Sequence, residues 1–85
     1  MRIVLIPMPD NALLTAFGKR IRNLRTERSL SQEKLAELTG FHRTYIGMVE
    51  RGERNLSLSN IAVFAEIFEL SLSDLFDLND NRGER

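Results

Sequence analysis

Cysteine is absent from this chain, so neither a disulfide framework nor a thiolate metal site can brace its fold. Histidine occurs once, at His42, and a lone imidazole with no second nitrogen or sulfur ligand does not build a zinc centre. Long hydrophobic runs are missing too. The aliphatic stretch at residues 3–6 is far short of the ~20 apolar residues that cross a bilayer, and Met1-Arg2 ahead of Pro7 makes a poor secretion signal. No glycine-rich phosphate loop is present, no nucleophile stands beside a base, and the chain is too short to enclose a substrate pocket. These absences argue against an enzyme and lead us to expect a soluble, cytoplasmic protein with no cofactor, metal, membrane or small-molecule partner.

What is present fits one compact domain. Eighty-five residues with 42% hydrophobic content sit near the size at which burial becomes marginal without oligomerisation. The formal net charge is zero, but it is unevenly spread. Residues 19–54 carry nine Lys or Arg against five Asp or Glu, whereas residues 55–85 carry two against six. A basic front and an acidic back suit a chain that meets phosphates with one face and keeps the other for a different contact.

Periodicity predicts an all-α fold of about five short helices. Leu13, Leu14, Phe17, Ile21 and Leu24 recur at helical spacing over residues 12–28, with Gly18 as a slight weakness. Ser31 is placed to cap a second helix at 32–38, with Leu35, Ala36 and Leu38 facing inward and Thr39-Gly40 ending it. A third helix at 42–49 carries Ile46 and Val49 on one face. Ser57 caps a fourth, lined by Ile61, Phe64, Ala65 and Phe68, and Ser71 a fifth, with Leu72, Leu75 and Phe76. Residues 1–11 read as an extended arm, 12–78 as the folded domain and 79–85 as a flexible tail.

The informative unit is residues 32–51, two short helices joined by a turn. A helix-turn-helix needs a small residue where the helices cross, a turn residue tolerant of positive φ, and apolar positions in the second helix. Ala36, Gly40 and the set Leu35, Phe41, Ile46 and Val49 supply these in order. With that face buried, the outer face presents His42, Arg43, Thr44, Gly47 and Met48, on a rod about as wide as the ~12 Å major groove. Tyr45, in the inward half of the helix, is expected as a partly buried ring with a free hydroxyl.

Several ordered stretches now carry a family resemblance. Residues 17–25, Leu30-Ser31-Gln32-Glu33-Lys34-Leu35-Ala36, Arg43-Thr44-Tyr45-Ile46, 49–52 and 72–76 resemble the phage repressor and Cro type of helix-turn-helix regulators, with their lambda-repressor-like domain. Arg43 to Ile46 followed by Glu50-Arg51-Gly52-Glu53-Arg54-Asn55-Leu56-Ser57 is similar, more narrowly, to restriction-modification controller proteins. The resemblance implies a sequence-specific, dimeric regulator of transcription bound to double-stranded DNA at a palindromic operator. Gln32 would grip phosphate, Arg43 and Thr44 would read bases, Met48 would meet a thymine methyl, and Arg51, Arg54 and Asn55 would follow the backbone. It also implies an internal ion pair between Arg25 and Glu50. His42 stands where the family often has a Ser or Asp cap and Leu56 where many members have Pro, which predicts a weaker or pH-sensitive cap and a looser start to the fourth helix. The dimer contact is expected in the acidic half, at Phe68, Leu72, Phe76 and Leu78. The alternative is an antitoxin-like interaction module with secondary DNA binding, whose signature would be a longer tail than the nine residues after Phe76.

Overall fold

The computed structural model describes residues 11–79, and within them every regular element is helical. In chain order these are α1 Asn11–Glu27, α2 Gln32–Thr39, α3 Arg43–Glu50, α4 Leu58–Phe68 and α5 Leu72–Leu75. Asn11 opens α1 instead of closing the arm. The rest of the expected arm, 1–10, and of the expected tail, 80–85, lies outside the described residues.

The helix starts follow from local chemistry. Ser31, Ser57 and Ser71 hold extended backbone, and their hydroxyls accept from the amides of Lys34, Asn60 and Asp74 at 2.9, 3.1 and 3.1 Å. Each satisfies one amide that a helix start leaves unpaired. His42 precedes α3 with no such side-chain bond, as its departure from the Ser or Asp pattern implies. Gly40 ends α2 at φ 84°, and its N–H returns to the Ala36 carbonyl at 2.8 Å. Nothing crowds that position, so the left-handed backbone is what asks for glycine there.

Phe17, Ile21 and Leu24 line the buried stripe of α1 and meet Leu35 and Ala36 of α2 and Ile46 and Val49 of α3. α4 closes the core with Phe64, Ala65 and Phe68, and Leu75 of α5 plugs its end. Two apolar assignments are corrected. Leu38 is exposed, because it lies about 200° around the helix from Ala36, away from the inward stripe. Phe68, expected at the dimer contact, is 2% exposed, stacked on Phe64 with centroids 6.4 Å apart, and completes the monomer core. Leu56, ahead of α4, packs half-buried against the core.

The basic front is thinner than its charge count implies. Arg20 is 6% exposed, and its Nε and Nη2 donate to the Leu75 and Asp74 carbonyls at 3.2 and 2.7 Å. Arg28 donates to the Leu24 and Phe68 carbonyls at 3.0 and 3.1 Å and lies over the Phe68 ring. Both arginines satisfy carbonyls at helix ends, where a cation is favoured, and so act inside the fold.

Candidate nucleic-acid interface

Placement of α3 begins with Gly18 on α1. A Cβ at this position would stand 2.4 and 2.6 Å from the Val49 and Glu50 carbonyl oxygens. Only a hydrogen there lets α1 touch the end of α3 backbone to backbone, so the apparent weakness in α1 is the helix crossing itself.

Beside that crossing, Arg25 at the end of α1 meets Glu50 at the end of α3. Nε donates to Oε2 at 2.6 Å and Nη2 to Oε1 at 3.0 Å, with the two side chains 12% and 4% exposed. Arg25 Nη1 also donates to the Leu30 carbonyl at 2.8 Å, tying in the loop ahead of α2. Gln32, expected to grip phosphate, turns its amide inward and donates from Nε2 to Glu50 Oε1 at 2.9 Å. A buried carboxylate is stable only when its lone pairs are filled, and three donors from α1 and α2 fill these. The angle between α2 and α3 is thereby held.

The outward edge of α3 is looser. Arg43 Nε lies 3.3 Å from Glu33 of α2, and Arg51 bonds Glu53 through Nε and Nη2 at 3.0 and 3.2 Å. Bonding to its own backbone amide, then to Arg43, holds the Glu33 carboxyl below the ordinary glutamate range. The Arg51 bond and its charge do the same for Glu53, and the pairing raises the Arg51 pKa in turn. Arg54 stacks over the Tyr45 ring at 5.5 Å. The Tyr45 hydroxyl is not free as expected: it accepts from Asn60 Nδ2 at 3.0 Å.

His42, Arg43, Thr44, Arg51, Arg54 and Asn55 are exposed and Met48 is half-buried. Gly47 is buried, contrary to expectation. Guanidinium nitrogens of Arg51 and Arg43 stand 3.2 and 3.7 Å from where its Cβ would be and roof it over. An apolar groove of about 250 Å³, lined by Gly40, Phe41, His42, Tyr45 and Asn60, opens beside the start of α3. On the acidic half, Leu72 and Phe76 are 42% and 40% exposed while Leu78 is half-buried against the core. Leu13 and Leu58 are also exposed, which periodicity alone did not reveal. Among the described residues no cluster of His, Cys, Asp or Glu could hold a metal ion, and no helix is long and apolar enough to cross a membrane.

Two short helices joined by a left-handed glycine turn, the second with a polar, arginine-bearing edge and both locked to a third helix, define a helix-turn-helix protein. Residues 21–75 match the helix-turn-helix family model, and the chain belongs to this family. Within it, the chain is 42% identical over 69 residues to the control protein C.SmaI of Serratia marcescens, covering 81% of this chain and 82% of that one. The crystal structure of the restriction-modification controller protein C.AhdI from Aeromonas hydrophila matches with 51% identity and a TM-score of 0.73, covering 76% of this chain and 98% of the other. The controller C.Esp1396I, crystallised as a tetramer in complex with its natural 35 base-pair operator, matches with 32% identity and a TM-score of 0.70, over 78% of this chain and 87% of that one.

Proposed function

We propose that the chain is a sequence-specific, DNA-binding regulator of transcription that works in the cytoplasm as a homodimer on a palindromic operator and controls a restriction-modification system. Its work is binding and involves no catalysis. The carrying observation is the outward edge of α3, with Arg43 and Thr44 in its first turn, presented on a helix that the Arg25–Glu50–Gln32 junction holds in place. Arg43 reads guanine through its guanidinium fork, Thr44 and Met48 meet neighbouring bases, and Arg51, Arg54 and Asn55 follow the sugar-phosphate backbone. The kinship with controller proteins, one of them crystallised on its operator, supports this reading.

One recognition helix covers a few base pairs, so specificity needs two copies about 34 Å apart. We place the two-fold contact on Leu72 and Phe76, with Leu78 behind them, because they leave apolar surface on the acidic half. Selection of bound duplexes from a random pool tests the whole reading: a palindrome with half-sites one turn apart is expected, and the absence of any enriched site sinks it. For the dimer, Leu72→Glu should sediment as a monomer and a chain lacking residues 1–9 as a dimer. The reverse result moves the contact to the arm.

A further inference from the structure

The Arg43–Glu33 pair joins the first turn of the recognition helix to the first turn of α2 and lies in the open, with side chains 53% and 71% exposed. A pair so exposed adds little to stability, so its geometry is the informative part. The bond uses Arg43 Nε and leaves open the terminal edge, whose two nitrogens match guanine O6 and N7. Arg51, by contrast, has both Nε and Nη2 taken by Glu53. The Glu33 carboxyl is held below the ordinary glutamate range, first by its own backbone amide and then by Arg43, so it is a negative charge at neutral pH 3.3 Å from Arg43 Nε.

We propose that Glu33 is a specificity-determining, positioning residue: it aims Arg43 through Nε so that the guanidinium meets a guanine edge while still paired, and it opposes use of the same guanidinium on a phosphate. The asymmetry is electrostatic. A guanine edge offers neutral acceptors, and a carboxylate a few ångströms away costs it little. A phosphate in the same place is an anion facing an anion, at a separation where one charge pair changes binding by about threefold to tenfold. Wrong sites, which are held chiefly through phosphates, are therefore weakened more than the operator. This inference rests on the DNA-binding reading above, with Arg43 as the base reader.

The test compares the full chain with Glu33→Gln and with Glu37→Gln, which removes the same charge from the same helix at an exposed residue paired to Lys34 at 3.3 Å. Affinity is measured over a salt series for the selected operator, for that operator with each G·C pair replaced in turn, and for a random duplex of equal length. Glu33→Gln should tighten random-duplex binding about threefold to tenfold, change operator binding less than about twofold, and steepen the random-duplex salt slope by about one. Discrimination at one G·C position per half-site should fall by the same factor. Glu37→Gln should move operator and random duplex together. In an Arg43→Lys background, which keeps the charge but has no Nε, Glu33→Gln should lose its selective effect. Equal gains on both duplexes, no gain on either, or a selective loss reproduced by Glu37→Gln overturns the inference. A wild type that enriches no site overturns the DNA reading and this inference together, whereas an enriched site with a non-selective Glu33→Gln overturns this inference alone.

Discussion

Two regions of this molecule use the same ion pair for opposite ends. At the junction of α1 and α3, Arg25 and Glu50 are closed off from water, bidentate, and completed by Gln32. On the outward rim, Arg43–Glu33, which links the starts of α3 and α2, and the local pair Arg51–Glu53 stand in solvent. A buried pair is costly to form and costlier to break, because either partner left alone is an unpaired charge in a poor solvent. An exposed pair exchanges readily with water or a competing ion. The junction therefore fixes where α3 lies, and the rim leaves its arginines able to exchange partners, as the proposed contact with DNA requires.

The sharpest way to break this contrast is to remove one partner from each region. Glu50→Ala should cost roughly 3–5 kcal/mol in denaturant unfolding, with Arg25→Ala close behind, whereas Glu53→Ala should leave the unfolding midpoint essentially where it was. Equal losses in both regions would mean that burial does not separate them. Gly18→Ala comes next at about 1–3 kcal/mol, since its methyl meets backbone carbonyls that cannot turn aside as a side chain would. An unchanged midpoint would show that α1 and α3 can separate cheaply.

On the rim the loss should appear in binding, with stability unchanged. Arg43→Ala should weaken the selected operator by about 1–3 kcal/mol and flatten preference at one position in each half-site. If every sequence weakens equally, Arg43 lies on phosphate and the guanine assignment fails.

The same division explains what could be read from the chain. The stripe Phe17, Ile21, Leu24, the three serine caps and Gly40 were legible because each acts within its own helix or turn. Gly18, Arg20 and Gln32 were harder to place because their surroundings come from elements distant in sequence: carbonyls of α3, the end of α5, and Glu50. Gly47 is covered from its own helix, by Arg43 and Arg51 one turn to either side, and the periodicity of apolar residues does not show where such long polar side chains lie. Gly18 did carry a signal, a glycine between two core positions of an otherwise regular amphipathic helix, where its cost to the helix asks for a packing reason. Phe68 failed for another reason. Periodicity identifies an apolar residue but not which side of a thin domain covers it, and the α4–α5 turn brought this one under Arg28.

The smallest expected effect separates the two rim pairs from each other. Both Glu33 and Glu53 have carboxyls held below the ordinary value of about 4.5, so whatever they add to stability is present above that pH and lost as the pH falls through each lowered folded value. Both are solvent-exposed, so the change in unfolding free energy should be slight and the titration itself is the better measurement. Carboxyl chemical shifts followed from neutral to acid pH should give midpoints below 4.5 for both. Arg51→Ala should return Glu53 to the ordinary range, because its depression comes from Arg51 alone. Arg43→Ala should raise Glu33 only part of the way, because the largest influence on it is its own backbone amide, which that variant leaves in place. A Glu33 that returns fully would show a carboxylate held by Arg43 alone, free to swing with it onto any ligand.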